Sequence, residues 1–366
     1  MSSAARLETA LEEMAAGLAV ALDTESNSFY RYPEQLCLVQ IATARRVYLL
    51  DALALGDLAP LGRITGDPAI QKVIHGADYD VRSLDRHASL RVRNVFDTSI
   101  AARFAGLEQV GLAALAEGLL GVKLDKSKRL QRADWGLRPL SRELLEYAAA
   151  DVRHLLALRD ILAERLGALG RAEWVAEECA RLEEVRHAPP DTELAFLAVK
   201  GSRDLDGRGL AVLHALCAWR EAEARRLQRP HFHIVSDAAL AFLAAHPHAE
   251  LSAAPGLGES AQRRYGRAIR EALKAGLAAP PLRRPPSSSL WVRPTAEQNE
   301  RLRRLKEWRA AQGRALELDP ALLWPMASLE RLARAPATLR AELAAPEVRR
   351  WQRERFGEQL REWLEK

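Results

Sequence analysis

Asp23-Thr-Glu25 closes a short apolar run, Leu18-Ala-Val-Ala-Leu22. Side chains two residues apart on a strand point to the same face, so this spacing sets two carboxylates side by side at a strand end. Such a pair offers hard oxygen ligands of the kind that Mg²⁺ or Mn²⁺ prefers. A solvated turn with a helix cap would use the same residues. Asp80 lies in His75-Gly-Ala-Asp-Tyr-Asp80, where a helix is expected to open and the helix dipole favours acids whatever their role. Asp151 follows Tyr147 by four residues, which stacks phenol and carboxylate on one helical face. Its neighbours are Leu and Ala, and a carboxylate buried among them needs a charged partner. Of the four acids, Asp151 is the hardest to explain as an ordinary surface residue.

The elements that must position these groups alternate over the first ~170 residues. Strands are expected at Leu18–Leu22, Leu36–Ile41, Arg46–Leu50, Lys72–Ile74 and Val92–Phe96, with Ala44-Arg45 in a turn. Helices are expected near 77–87, 97–105, 111–120 and 141–168, the last capped by Ser141. Strands interleaved with helices make an α/β domain. Beyond residue 170 the strand signals stop. Helical patterns run over 171–186, 192–200, 208–228, 236–246 and 259–277, then Pro280-Pro-Leu-Arg-Arg-Pro-Pro-Ser-Ser-Ser289 reads as a linker. Residues 295–366 form a last helical segment rich in Arg, Leu and Trp.

Charge follows the same division. The net charge of +5 hides an uneven split: residues 1–199 hold 24 Lys and Arg against 29 Asp and Glu, and residues 200–366 hold 30 against 20. An acidic half beside a basic half suits a metal-binding catalytic module joined to a polyanion-binding one. An Arg-rich genome would also produce the basic half. No stretch approaches the ~20 apolar residues of a membrane span, and the N-terminal segment has no apolar core of a secretory signal. Three widely spaced cysteines, Cys37, Cys179 and Cys217, build no disulfide framework or Cys-based zinc site, so a reducing cytoplasm is the expected compartment. His231-Phe-His233 and His246-Pro-His248 lack a carboxylate or cysteine context, and no zinc site is read there.

Asp-x-Glu after a first strand, an Asp opening a helix, and Tyr-x-x-x-Asp on a late helix together resemble the DEDDy exonuclease family, and most nearly the ribonuclease D family. Further segments carry the resemblance: Gln35-Leu-Cys-Leu-Val-Gln-Ile-Ala42, Val95-Phe-Asp-Thr-Ser-Ile-Ala-Ala102, Leu124-Asp-Lys-Ser127, Asp134-Trp135 and Arg138-Pro-Leu140. It runs over residues ~15–165. In the second half, Leu210-Ala-Val-Leu-His-Ala-Leu-Cys-Ala-Trp-Arg220, Arg229-Pro230, Ile234-Val-Ser-Asp237 and Pro255-Gly-Leu-Gly258 resemble an HRDC nucleic-acid-binding domain. Residues 295–366 are expected to be a diverged second copy without the Pro-Gly-Leu-Gly turn. The family commonly has an aromatic residue after Asp-x-Glu to seat the terminal base. Ser26 stands there, so Phe29 or Tyr30 is expected to substitute.

The resemblance implies an RNase H-like α/β exonuclease domain with a mixed sheet over residues 1–170. It further implies a helical connector over 171–200, an HRDC domain over 201–280, a linker over 281–294 and a second helical module over 295–366. It implies a metal-dependent 3′→5′ exoribonuclease acting at RNA 3′ ends, precursor tRNA among them, and releasing nucleoside 5′-monophosphates. Asp23, Glu25, Asp80 and Asp151 would hold two Mg²⁺ or Mn²⁺ ions, directly or through water, to activate water and stabilise the leaving oxygen. Tyr147 would orient or deprotonate that water. No small-molecule cofactor and no membrane partner are expected. Lys123, Lys126 and Lys128 either touch substrate phosphates or form a solvated loop. Trp135 either stacks on a base or plugs the core, and Arg138 is open in the same way. Asp97 reads as a helix cap and His75 as a packed histidine. A DNA-directed exonuclease of the same fold, and a catalytically dead binding scaffold, are the competing readings.

Overall fold

The computed structural model describes residues 1–189, 191, 193–285 and 293–364. Its N-terminal part is built on five strands: β1 (Ala19–Ser26), β2 (Leu36–Ala42), β3 (Val47–Asp51), β4 (Gln71–Ile74) and β5 (Val95–Asp97). Their order is β3-β2-β1-β4-β5. β1 runs antiparallel to β2 and β2 to β3, whereas β4 is parallel to β1 and β5 to β4. This is the expected mixed sheet flanked by helices. β1 is longer than its apolar run. Asp23, Thr24 and Glu25 pair with Gln40, Val39 and Leu38 of β2, so the ladder holds polar residues extended and the acids sit within the strand rather than past it.

Local chemistry sets most helix starts. Asp97 accepts from the amides of Ser99 and Ile100 and caps the helix Thr98–Phe104. Ser141 accepts from the Leu144 amide and caps Arg142–Arg153. The single helix expected over 141–168 is two, Arg142–Arg153 and Leu155–Ala168, broken at His154 where φ is −107° and ψ −2°. The break lets each half bury its own stripe: Tyr147, Ala148 and Val152 in the first, Leu158, Leu162 and Leu166 in the second. A first helix, Ala4–Ala15, escaped the sequence reading although Leu7, Leu11 and Met14 are spaced for one face, and all three are buried.

The second half is helical throughout its described residues. Gly207–Leu227, His231–Ile234, Asp237–Ala245 and Glu259–Ala278 enclose their own apolar core around Leu213, Leu216, Leu240 and Ile269. Ala296–Leu316, Pro320–Leu323, Met326–Arg334, Leu339–Ala344 and Arg350–Leu364 follow. Their core is continuous with that of the sheet domain: Trp351 stacks on Trp174 at 4.5 Å and meets Phe104 edge-on at 5.5 Å. The expected helix near 192–200 is a short 3₁₀ turn, Ala195–Ala198. Of the expected linker over 281–294, residues 286–292 lie outside the described residues. No helix among the described residues is long and apolar enough to cross a membrane.

Candidate active site

β1 and the helix Arg142–Arg153 bring the acids together. Carboxylate oxygens of Asp23, Glu25 and Asp151 lie within 4.8 Å of one another. They line a cleft of about 310 Å³ with Thr24, His75, Tyr79, Leu112, Lys126, Gln131, Tyr147 and Leu155. Asp80 stands just outside this triad. It is buried at the start of the helix Asp78–Ala88 and accepts a 2.5 Å hydrogen bond from the Thr24 hydroxyl. Thr24 lies between the two strand acids and points to the opposite face, which links the second motif to the first. That role was missed; the signal was a hydrogen-bonding residue on the alternate face of an acidic strand end.

Burial and mutual repulsion shape the charge here. Desolvation raises Glu25 to about 8, with Asp151 adding to the rise and Lys126 opposing it. Asp80 is raised to about 7, first by burial, while its bond from Thr24 pulls the other way. Asp23 is held well above the usual carboxylate range by burial and then by Asp80, Asp151 and Glu25. Asp151 is raised by burial against the pull of Lys126. Four carboxylates that resist ionising side by side form a site that lacks positive charge. Lys126 supplies one cation. Its ammonium pairs with Asp151, stands 3.4 Å from the Tyr147 hydroxyl and lies over that ring at 4.9 Å. The Tyr147 phenol is pushed well above its ordinary range by burial, then by Asp151, Glu25 and Asp23, so it stays protonated at neutral pH.

Asp97 does more than cap one helix. Its two oxygens also accept from the amides of Gly76 and Ala77 at 3.1 and 2.8 Å, which ties the turn before Asp80 to the end of β5. His75 bonds Thr98 at 2.9 Å and lines the cleft as a packed histidine.

Two expected nucleic-acid contacts are corrected. Trp135 is 1 % exposed and packs against Tyr147 at 6.1 Å. It is a plug beneath the site, with no face left for a base. Arg138 makes a two-pronged pair with Asp51 at 2.6 and 2.7 Å and also bonds the carbonyls of Cys37 and Trp135. It ties the 132–140 loop to the sheet edge, and its donors are spent. Lys123 and Lys128 are exposed and outside the cleft lining; Lys126 alone of the three enters it. Phe29 and Tyr30 are about half exposed but do not line the cleft. Tyr79 does, and its hydroxyl shares a 2.6 Å hydrogen bond with Ser26. An aromatic ring does therefore reach the cleft, from the residue just before Asp80.

Comparison with known proteins gives the arrangement its relatives. A family model for 3′-5′ exonucleases matches residues 1–167, and one for the HRDC domain matches residues 209–273. Ribonuclease D of Gluconacetobacter diazotrophicus is 36% identical over 348 residues, covering 93% of this chain and 86% of that one. Ribonuclease D of Desulfotalea psychrophila is 32% identical, covering 86% and 84%. Among solved structures, Escherichia coli RNase D superposes with a TM-score of 0.74 at 26% identity, covering 100% of this chain and 98% of the other.

Proposed function

The chain belongs to the ribonuclease D family and is a 3′→5′ exoribonuclease, and from that premise we propose that Asp23, Glu25, Asp80 and Asp151 hold two Mg²⁺ or Mn²⁺ ions. The observation that carries this is the triad of carboxylates within 4.8 Å of one another. Their donor set fits: hard oxygens only, in an open cleft, with carboxyl groups raised first by burial and then by each other's charge. Asp80, held by the hydroxyl of Thr24 between the two strand acids, would act directly or through water. Divalent metal bound there supplies the Lewis acidity that makes water nucleophilic and stabilises the departing 3′ oxygen.

The chain's own groups do the rest. Tyr147, one helical turn before Asp151, orients the attacking water or takes its proton. Lys126, within reach of both Tyr147 and Asp151, adds positive charge where the phosphodiester gathers negative charge. Trp135 packs against the Tyr147 ring, and Arg138 ties the 132–140 loop that precedes the helix of Tyr147 to the sheet edge. The product is a nucleoside 5′-monophosphate. The Escherichia coli relative is described as an exoribonuclease involved in structured RNA processing. By that likeness the substrates are structured RNAs with free 3′ ends; precursor tRNA and a cytoplasmic location rest on the family resemblance alone.

The test is release of nucleoside monophosphates from labelled RNA and DNA oligomers. Release from RNA should stop in excess chelator and return with Mg²⁺ or Mn²⁺. Asp151→Asn removes a ligand charge at nearly constant volume, and retained turnover in that variant would refute the assignment. Preference for DNA would refute the substrate.

A further inference from the structure

On the reading that this chain degrades single-stranded RNA from the 3′ end, we propose that Phe232, on the short helix His231–Ile234, extends the active-site wall into a stacking track for the bases behind that end. Large aromatic side chains stand half in solvent on the segments between the cleft and the helical domain: Tyr79 at 46 %, Phe29 at 47 %, Tyr30 at 45 % and Phe232 at 58 %. Tyr79 and Gln131 line the cleft itself. Arg132, next to Gln131, lies with its guanidinium 5.9 Å from the Phe29 ring, and its carbonyl accepts from the Tyr30 hydroxyl at 2.8 Å. His233 donates to the Phe29 carbonyl at 3.1 Å, and its ring is 4.6 Å from that of Phe232. Gln131 of the cleft lining is thus followed along the chain by Arg132, and Arg132 leads through Phe29 to His233 of the helical domain.

Exposed aromatic faces interleaved with guanidinium groups fit one class of ligand. Every base has a π-face and every nucleotide a phosphate, so stacking and charge bind a single strand with little regard to sequence. The helical domain is fixed where this requires. Tyr32 and His231 both donate to Glu221, at 2.9 and 2.5 Å, and Arg225 joins them. Arg31 bonds the Gln228 side chain at 2.9 Å, and the Tyr32 amide donates to the Gln228 carbonyl at 3.3 Å. Residues 29–32 therefore carry two exposed aromatics outside the cleft lining and the anchor that holds the helix of Phe232 against them, through His233 on the Phe29 carbonyl. The HRDC-matched region thereby serves as a continuation of the active-site wall, with a side chain of its own on the substrate.

The test is equilibrium binding of fluorescent single-stranded RNA to the full-length protein in chelator, where no cleavage occurs. Oligomers of about ten and about three nucleotides are compared, the shorter chosen to end before Phe232. Phe232→Ala should bind the longer oligomer about 5- to 100-fold more weakly, the span of one stacked base, and the shorter one as wild type does. Phe232→Trp should restore binding. Unchanged affinity for the longer oligomer, an equal loss on both lengths, or no rescue by tryptophan would each overturn the proposal. Nucleotide release from the shorter oligomer in Mg²⁺, measured separately on wild type, reports on the exonuclease reading itself, so the two can fail independently.

Discussion

The two helical regions of the second half share a plan and differ in how they meet the nuclease. Each opens with a 21-residue helix, Gly207–Leu227 or Ala296–Leu316. Each continues through a four-residue helix and a nine-residue helix to a long final one, which in the second region is preceded by the extra helix Leu339–Ala344. Trp219-Arg220 and Trp308-Arg309 stand at the same steps of the first helix, and the two arginines bond the carbonyls of Val235 and Trp324 at 2.9 and 3.0 Å. Yet the first region keeps a core of its own and meets the nuclease domain mainly through hydrogen bonds around Glu221 and Gln228. The second has lost its separateness. Trp351 fills a shared core with Phe104 and Trp174, and Arg171 bonds the carbonyls of both Phe104 and Leu316. One scaffold thus serves as a docked module that faces the cleft and as a built-in part of the nuclease body. The basic second half is therefore two regions of different attachment, and removing the second would expose the core that Trp351 shares with Phe104 and Trp174.

The sharpest way to break that comparison is Trp351→Ala. It should cost about 3–5 kcal/mol, the usual range for truncating a buried tryptophan. The nuclease domain should melt with the C-terminal helices in one transition. Two separate transitions in calorimetry would show the regions to be independent after all.

Tyr147→Phe tests whether chemistry is confined to the nuclease half. It should lower kcat by roughly 10²–10⁴-fold on short and long RNA alike, with little change in RNA affinity. A variant with normal kcat and weak binding would make the tyrosine a substrate contact.

The acid cluster sets a pH dependence that the helical regions should not share. Glu25 and Asp80 titrate at about 8 and about 7 in the folded, metal-free chain, above their unfolded values. Their contribution to stability is therefore full below about pH 4 and is lost as pH rises through 7 and 8. Melting temperature in chelator should fall between pH 5 and 8, and Mg²⁺ should restore it most at pH 8. Because metal binding displaces those protons, apparent Mg²⁺ affinity should rise more than about ten-fold from pH 6 to 8. A flat profile by calorimetry would mean the carboxylates are already ionised.

The smallest expected effect is that of Glu221→Gln at the docked interface. Melting should shift by less than about 1 kcal/mol, as for other partly exposed ion pairs. KM for long RNA should rise while KM for a trinucleotide holds. Equal KM values for both would leave the docking of the first helical region without a role in substrate binding.

Local signals sufficed wherever the physics is local. The period-2 and period-3.6 patterns place the strands and most helices, Asp97 and Ser141 act as the caps their positions suggest, and the four-residue step from Tyr147 to Asp151 holds on the helix. The same residues that suggested metal chemistry, Asp23, Glu25 and Asp151, do converge, because strand and helix periodicity fix which way each side chain points. What needed the tertiary structure are pairings between distant residues. Trp135 and Arg138 have the composition of a nucleic-acid contact, and only packing against Tyr147 and the ion pair with Asp51 turn them inward. Thr24 is an unremarked residue between two acids until the fold sets Asp80 against it. The two helical regions both read as helical segments without strand signals, the second the richer in Trp. Which of them merges with the nuclease and which docks beside its cleft depends on side chains more than a hundred residues away, and such burial has no local signature.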